Sequence, residues 1–258
     1  MVSIKSAAAV ANMKLAGGVV YDALCAVKEA VKPGVSTLEL DEVAEKVIRA
    51  AGGIPSFKGY NGFPGSICTS VDGEVVHGIP SHRRVLREGQ IISIDCGAII
   101  NGYHGDSALT VPVGKISEEA ALLIKRTEAS FWEAYKVIRH GARLNDIGHA
   151  VQSHVEAFGY GVVRELCGHG IGRSLHEDPE ILNYGTAGTG LRLREGMTIA
   201  VEPMITAGSP AIVVGDDKWV VFTKDGSLAS HYEHTMLVTK DKPIILTLPE
   251  SMQEGIPV

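Results

Sequence analysis

The chain has 258 residues, of which 45% are hydrophobic and 21% charged, and a net charge of −6 at neutral pH. These values are ordinary for a water-soluble globular protein, and the acidic balance argues against a dedicated nucleic-acid binder, which usually carries a basic face. The four cysteines include no C-x-x-C pair, so a zinc ribbon is not expected, and a chain of this length needs no disulfide framework. We expect no signal peptide and no apolar run long enough to cross a bilayer, which makes the cytoplasm the predicted location.

The first half of the chain is predicted to form two helices followed by antiparallel strands. The apolar spacing predicts a helix over residues 5–31, and a capping box that starts at Ser36 predicts a second helix to about Ala51. Strands are expected over 66–77, with a turn in the middle, over 90–100 and over about 104–112.

The second half repeats this order of elements. Helices are predicted over about 117–139 and 144–158, and strands near 162–167, 197–206, 211–214, 218–223 and 229–239. Helices combined with mainly antiparallel strands indicate an α+β fold. Because no Pro- or Ser-rich linker divides the chain, we predict a single domain over residues 1–258, built from two halves of about 1–115 and 116–258.

A ten-residue segment occurs twice in the chain. Residues 86–95 (LREGQIISID) reappear 107 positions later as residues 193–202 (LREGMTIAVE). Both copies end a predicted strand with an acid, Asp95 in the first and Glu202 in the second. The repeat predicts an internal duplication with pseudo-twofold symmetry, in which the two acids face each other near the axis. Acids buried together repel, and a bound cation is the simplest group that would hold them there.

Two further acids occupy related positions. Asp106 follows Asp95 across an Asn-Gly pair at 101–102, which is a strong hairpin signal, so the two side chains should share one face of the sheet. We expect Glu233 to hold the corresponding place in the second half, where the longer spacing fits an extra hairpin around 207–226. Four carboxylates carry too much charge for one divalent ion and suit two ions that share bridging carboxylates.

Histidines supply the other candidate ligands and acid–base groups. His169 lies in the run Gly-His-Gly-Ile-Gly, a glycine-rich loop that would let the backbone approach closely, and it is predicted to be a metal ligand. His77 and His176 are candidates for proton transfer or oxyanion stabilisation. The remaining histidines are predicted to be surface or structural residues: His82, His104, His140, His149, His154, His231 and His234.

These residues form an ordered set along the chain: Asp95, Asp106 in His-Gly-Asp, His169 in Cys-Gly-His-Gly-Ile-Gly, Glu202 in Glu-Pro-Met and Glu233 in Tyr-Glu-His-Thr. With the segment 76–80 (VHGIP), the set resembles the type I, bacterial-type methionine aminopeptidases of metallopeptidase family M24. The resemblance covers essentially the whole chain and implies the pita-bread fold, a duplicated, mainly antiparallel sheet flanked by helices. It also implies a hydrolase that removes the initiator methionine from nascent proteins and peptides when the second residue is small.

The resemblance implies a role for each matched ligand. Asp95 would chelate one of two divalent metal ions, Asp106 and Glu233 would bridge both, and His169 and Glu202 would complete the shell of the other ion. The sequence leaves Co²⁺, Mn²⁺, Fe²⁺, Zn²⁺ and Ni²⁺ open as the bound ions. The ions would activate a bridging water for attack on the scissile carbonyl.

The catalytic residues implied by the resemblance are Glu202, His77 and His176. Glu202 would accept and pass on the proton of the attacking water. His77 would face the scissile nitrogen, and His176 would face the oxygen that becomes negative. A monovalent-cation site near Asp72 and Ala229 is a further expectation from the resemblance.

A methionine-binding pocket is the last implication of the resemblance, because thioether and aromatic groups make favourable contacts. At two of its positions the chain departs from the commonest bacterial pattern: Phe57 stands where a Cys is frequent and Leu175 where a Phe is frequent. These departures put the width of the pocket in doubt. The expected lining residues, besides His77 and His176, are Phe57, Tyr60, Phe63, Cys68, Leu175 and Trp219.

The expected partners are the N-termini of nascent polypeptides. A transient ribosome contact through the basic segment 82–87 is compatible with the sequence, whereas stable nucleic-acid binding, membrane binding and oligomerisation are not expected. Two alternatives remain open at this point. A Pro-specific relative, an aminopeptidase P or prolidase, would share the fold and metals but usually carries a large additional N-terminal domain. A non-enzymatic binding protein on the same fold would be expected to lose metal ligands.

Overall fold

Two helices open the chain where the sequence predicts them. α1 spans Ala7–Ala30 and α2 spans Thr37–Ala50. Ser36 Oγ accepts a hydrogen bond from the Glu39 backbone N–H, and the Glu39 carboxylate accepts one from the Ser36 N–H at 2.8 Å. The predicted capping box is therefore confirmed, and it satisfies two N–H groups at the start of α2 that the helix itself leaves unpaired.

The computed structural model describes residues 2–253 and 256, and its main element is a nine-stranded antiparallel sheet. The strand order is β1-β4-β5-β14-β9-β7-β8, with β2 paired to β4 and β15 paired to β14. The strands are β1 (Ile54–Pro55), β2 (Ile67–Val71), β4 (Ile91–Ile100), β5 (Tyr103–Pro112), β7 (Gly168–Gly170), β8 (Glu177–Ile181), β9 (Thr198–Val201), β14 (Glu233–Leu237) and β15 (Ile244–Ile245).

Two small three-stranded sheets and the remaining helices complete the described part of the chain. One small sheet has the order β13-β10-β6 and the other β11-β12-β3. Their strands are β3 (Glu74–Val76), β6 (Gly161–Val162), β10 (Met204–Thr206), β11 (Ile212–Val214), β12 (Val221–Thr223) and β13 (Ala229–His231). The helices are α3 (Glu118–Val137), α4 (Leu144–Glu156) and the single turn α5 (Glu250–Gln253), and a 3-10 turn lies at Tyr60–Gly62.

The two halves of the chain occupy equivalent positions in the sheet. β4 and β9, which carry the repeated segment, lie on either side of the central pair β5 and β14. One buried apolar cluster joins α1 and α2 to β2 and β4, and a second joins α3 and α4 to β9 and β14. The predicted pseudo-twofold arrangement is present, and its axis passes between β5 and β14.

The β4–β5 hairpin forms at the predicted Asn-Gly pair. Ile100 pairs with Tyr103, so the turn contains only two residues, and Asn101 and Gly102 both have positive φ angles, 51° and 76°. Consecutive positive φ angles define the tight turn whose twist matches that of paired strands, and asparagine and glycine adopt them at the lowest cost.

Helix α1 departs from the expectation that no apolar segment of the chain is long enough to cross a bilayer. It has 24 residues, and its most apolar window has a mean hydropathy of 1.3, so by length and composition it could cross a membrane. Its buried residues, which include Met13, Val20 and Val27, pack against the sheet and α2 instead. Core helices of globular proteins meet the same two criteria, because one face is fully apolar.

Three strands differ from their predicted form. The strand expected over 197–206 is interrupted at Glu202 and Pro203, because proline has no N–H to donate to a ladder. The strand expected over 229–239 is interrupted at Tyr232. Only two residues of the strand expected near 162–167 are formed, as β6, and the next strand, β7, contains His169. The prediction that His169 lies in a loop is therefore wrong.

Candidate metal centre

Strand pairing brings the four predicted carboxylates to one place. In the β4–β5 ladder Asp95 lies opposite Ala108, two residues from Asp106, so the two acids share one face of the hairpin. Across the central pair, Ala108 also lies opposite Glu233. Glu202 directly follows β9, the strand on the far side of β14. The acids from both halves thus meet at the pseudo-twofold axis.

His169 reaches the same place from β7. Its Nε2 lies 3.8 Å from Asp106 Oδ2 and 3.6 Å from Glu202 Oε1. Its Nδ1 donates to the carbonyl oxygen of Gly170 at 2.9 Å, which leaves the lone pair on Nε2 directed at the acids. This hydrogen-bond pattern is the one that orients metal-bound imidazoles in proteins.

The glycines around His169 have a packing role rather than the loop role predicted from the sequence. A Cβ on Gly168 would lie 2.3 Å from the carbonyl oxygen of Ala200 in β9, and a Cβ on Gly170 would lie 2.1 Å from that of Asp178 in β8. Only glycine allows β7 to fit between its two neighbours. His169 is therefore fixed by strand packing on both sides.

The electrostatics of the site fit bound cations. Asp106 and Glu233 are 4% and 2% exposed. Burial raises the pKa of Asp95 to about 7, and burial together with the neighbouring acids raises the pKa of Asp106, Glu202 and Glu233 well above the usual range.

Unpaired carboxylate oxygens also indicate that the site fits bound cations. Asp95 Oδ1, Asp106 Oδ1 and Glu233 Oε1 are buried and have no hydrogen-bond partner among the residues that the structure describes. Ligand atoms of Asp106, His169 and Glu233 lie within 4.8 Å of one another. Oxygen donors in excess, next to an imidazole nitrogen, are the ligand set of divalent transition metals, so the residues present fit the metal centre that the sequence predicts.

His231 is a site residue that the sequence reasoning missed. It is 1% exposed, and its Nε2 lies 3.7 Å from Glu202 Oε2 and 3.8 Å from Glu233 Oε2. The surface part of the prediction for this residue is wrong, and its structural part stays a prediction. Its spacing of two residues from Glu233 was the available signal, because alternate residues of an extended chain share a face. Two other histidines in that group, His104 and His234, are buried and hydrogen-bonded to hydroxyl groups, which is a structural role.

A cavity of about 260 Å³ lies beside the carboxylates. The Phe63 and Trp219 rings pack edge to face in its wall, with centroids 5.2 Å apart. Asn61, which the sequence reasoning did not select, also lines it. Every predicted site residue lines this cavity: Phe57, Tyr60, Phe63, Cys68, His77, Asp95, Asp106, His169, Leu175, His176, Glu202, Trp219 and Glu233.

The two remaining catalytic candidates lie at the rim of the cavity. His176 Nδ1 is hydrogen-bonded to Tyr60 Oη at 2.7 Å, and its ring lies 4.3 Å from that of His169. His77 has a positive φ of 61°, an unusual backbone conformation for a residue with a side chain. Burial lowers the pKa of both imidazoles, so both are neutral at pH 7 and able to donate a hydrogen bond.

The predicted monovalent-cation position lies away from the acids. The Ala229 N–H donates to the carbonyl oxygen of Asp72 at 2.8 Å. The Asp72 carboxylate accepts from the Gln90 side chain and the Ile91 N–H. The two residues named for this site are therefore adjacent, and cation binding there stays a prediction.

Comparison with known proteins places this geometry in a family. The sequence profile of metallopeptidase family M24 matches residues 11–240. A methionine aminopeptidase of Clostridium acetobutylicum is 52% identical over 250 residues, which cover 97% of this chain and 100% of the relative. Methionine aminopeptidase 1 of Bacillus subtilis is 49% identical, with 96% and 99% covered. The chain therefore belongs to metallopeptidase family M24, and it is a metal-dependent hydrolase.

Solved structures agree with the sequence relatives. The crystal structure of a methionine aminopeptidase from Thermotoga maritima matches with a TM-score of 0.95 and 42% identity, over 96% of this chain and 100% of that one. A prolidase from Pyrococcus furiosus matches with a TM-score of 0.78 and 23% identity, over 96% of this chain and 66% of that one, which is a likeness of fold alone. The predicted pita-bread fold and the resemblance to bacterial-type methionine aminopeptidases are confirmed.

Proposed function

We propose that the chain removes the N-terminal methionine from nascent proteins and peptides whose second residue is small. The observation that carries the proposal is the direct contact between an apolar, aromatic-lined cavity and a cluster of buried carboxylates with unpaired oxygens. The cavity provides a place for one uncharged side chain, and the carboxylates provide the metal ligands for hydrolysis next to it.

Five residues would hold two divalent ions: Asp95, Asp106, His169, Glu202 and Glu233. When bound, such ions polarise a carbonyl and make water acidic enough to attack at neutral pH. Co²⁺, Mn²⁺, Fe²⁺, Zn²⁺ and Ni²⁺ all suit this mixed oxygen and nitrogen set. The free α-amine of the substrate would also bind at this centre, which restricts the reaction to the first peptide bond.

Three side chains would move or stabilise charge. Glu202 is the acid closest to both His169 and His231, and it accepts the proton of the attacking water and returns it to the leaving amine. His77 faces the scissile nitrogen, which can accept a hydrogen bond from the imidazole once the carbonyl carbon has become tetrahedral. His176, held by Tyr60, donates one to the carbonyl oxygen as negative charge develops there.

The cavity wall would select methionine. Phe63 and Trp219 present ring edges and faces, against which a thioether sulfur packs favourably. Phe57 and Leu175 are 8% and 3% exposed and close the apolar side of the cavity.

The remaining parts of the proposal concern the surroundings of the enzyme. The substrates are N-termini of nascent polypeptides in the cytoplasm, and residues 1–258 act as one catalytic domain and as a monomer. A transient ribosome contact would use the basic segment 82–87, where His82, Arg83 and Arg87 are exposed.

A peptide panel tests the substrate class against the Pro-specific alternative. Metal-loaded protein is incubated with Met-Ala-Ser, Met-Lys-Ser and Ala-Pro-Ser, and the released amino acid is quantified. We expect methionine from the first peptide and almost none from the second, with no alanine from the third. Release of alanine would support the hypothesis of an aminopeptidase P. If the folded, metal-bound protein cleaved none of the peptides, the hypothesis of a non-enzymatic binding protein would be supported.

A further inference from the structure

His231 is held rigidly at the edge of the carboxylate cluster. Its backbone N–H donates to Thr110 Oγ1 at 2.9 Å, and its carbonyl oxygen accepts from the same hydroxyl at 2.9 Å. The residue ends β13 and is almost completely buried. Yet its Nε2 has no hydrogen-bond partner among the described residues. A buried polar nitrogen without a partner is rare in folded proteins and points to a missing ligand.

The distances around His231 are those of a ligand and not those of a hydrogen-bond donor. Its Nε2 lies 3.7 and 3.8 Å from the nearest oxygens of Glu202 and Glu233, which is too long for an N–H···O hydrogen bond. Donor atoms that surround one ion at about 2.1 Å are separated by about 3–3.6 Å, so a shift of a few tenths of an ångström is enough. His169 has the same relation to its two acids, at 3.6 and 3.8 Å.

The candidate ligands fall into two groups of three. Asp106, His169 and Glu233 form one group, and Glu202, His231 and Glu233 form the other. Glu233 belongs to both, as a bridging carboxylate would. Each group contains one imidazole, and Glu202 lies close to both, at 3.6 Å from His169 Nε2 and 3.7 Å from His231 Nε2.

We propose that His231 is a further protein ligand of the metal centre and that it binds one of the two ions through Nε2, together with Glu202 and Glu233. The inference rests on the proposed metal centre and adds a second imidazole to its five expected ligands. An additional imidazole favours Co²⁺, Ni²⁺ and Zn²⁺ over Mn²⁺ at that position, because nitrogen donors bind the later metals more tightly.

The test counts metal-bound imidazoles directly. Protein loaded with two equivalents of Co²⁺ is studied by ¹H NMR, in which the exchangeable imidazole N–H protons of cobalt-bound histidines are shifted far outside the normal range. We expect two such resonances in the wild-type protein. His231→Gln keeps a side chain of similar size and should lose one of them. His154→Gln, a matched control on α4 where the ring packs against Phe158, should keep both.

Each result has a defined meaning. A single shifted resonance in the wild-type protein, or two in His231→Gln, overturns the inference while the proposed function stands. No shifted resonance at all, with cobalt absent from the protein, overturns the metal centre itself. Because the wild-type count is informative alone, the test does not depend on the stability of the variant.

Metal titration provides a second readout that does not use activity. We expect His231→Gln to bind one equivalent of Co²⁺ or Zn²⁺ at least about 10-fold more weakly than the wild-type protein, since loss of even outer-shell support costs about 10–100-fold. The loss should be smaller for Mn²⁺. Equal affinities of the variant and the wild-type protein for all three ions would contradict direct ligation.

Discussion

At the scale of single residues, the site is built from buried acids that would be unfavourable without a cation. Asp106 is the most informative of them, since it is nearly fully buried and next to Glu233, Asp95 and His169. An isosteric amide at this position removes a ligand and a charge together. Loss of the ligand should lower activity and metal affinity, whereas loss of the charge should stabilise the metal-free protein. Measuring both therefore separates a catalytic role of Asp106 from a structural one.

The variant Asp106→Asn should therefore be inactive but well folded. We expect a loss in kcat/KM greater than the roughly 100-fold that outer-shell substitutions cause, together with weakened binding of metal. The melting temperature of the metal-free protein should rise, because one of several mutually repelling acids is gone. Asp22→Asn, on the exposed face of α1, is the control and should change neither quantity. An active Asp106→Asn enzyme would refute the ligand assignment.

Leu175 tests the pocket separately from the chemistry. It is 3% exposed, lines the cavity and belongs to the same apolar cluster as Phe57 and Phe63. For Leu175→Ala we expect KM for Met-Ala-Ser to rise about 10-fold or more while kcat changes little, since apolar pocket contacts contribute to uniform binding. Leu122→Ala, at an exposed position of α3, should leave KM unchanged. A fall in kcat at constant KM would show that Leu175 does not bind the methionine side chain.

At the scale of secondary structure, β7 positions His169 through glycines that permit close strand packing. For Gly168→Ala we expect a loss of about 1–3 kcal/mol in unfolding free energy, because the new methyl group would collide with the Ala200 carbonyl. Metal affinity should fall as well, because His169 is the next residue. Urea unfolding and metal titration measure the two effects.

The matched control is a glycine-to-alanine substitution at a position where the added methyl group has space. Gly18 lies inside α1, and a Cβ there would have no neighbour within 4 Å in the described part of the chain. Gly18→Ala should therefore stabilise the protein by about 0.5–1 kcal/mol through helix propensity alone. If Gly168→Ala were as stable as the wild-type protein, the packing explanation for the glycine run would be wrong.

Elements with local signals were predictable from the sequence, and elements without them were not. The capping box at Ser36 and the Asn-Gly hairpin at 101–102 depend on contacts within a few residues, so the sequence alone predicts them. β8 has the sequence Glu-Asp-Pro-Glu-Ile, which has no strand pattern. It exists because β7 offers it a free edge, and long-range pairing of that kind leaves no local signal.

The site residues likewise divide into those that the sequence predicts and those that depend on tertiary packing. The internal repeat predicted that Asp95 and Glu202 would meet, because a duplication fixes the symmetry of their positions. His231 has a counterpart in His104, which precedes Asp106 by two residues, but His104 is hydrogen-bonded to Ser56 whereas His231 lies beside Glu202 and Glu233. The two-residue spacing from Glu233 indicated a shared face, but which of the two matched histidines lies beside the acids is set by tertiary packing and could not be derived from the sequence.

At the scale of the whole molecule, the buried acids couple stability to pH. In the metal-free protein the pKa of Asp95 is raised to about 7, and those of Asp106, Glu202 and Glu233 are raised well above their usual values, so these groups hold protons that the unfolded chain has lost. Stability must then fall as pH rises, by up to about 1.4 kcal/mol per pH unit for each retained proton.

The fall in stability with rising pH should be clearest above about pH 6.5. Below that value an opposing effect begins, because burial lowers the pKa of His169 to about 4 and that of His231 to about 3, and charging these imidazoles destabilises the folded state. We expect the melting temperature of metal-free protein to decrease from pH 6.5 to 8.5. Added Mn²⁺ should raise it more at pH 8.5 than at pH 6.5. A melting temperature that is independent of pH over this range would contradict the burial of ionisable acids at the site.

If the chain is an aminopeptidase whose activity depends on metal bound by the buried carboxylates, methionine release must require that metal. The most direct measurement is the release of free methionine from Met-Ala-Ser by metal-stripped protein, before and after addition of Mn²⁺ or Co²⁺. We predict no release without metal and rapid release with it, in the wild-type protein but not in Asp106→Asn. Release that is equal in metal-free and metal-loaded protein, or absent with every metal tested while the protein remains folded, would contradict the account.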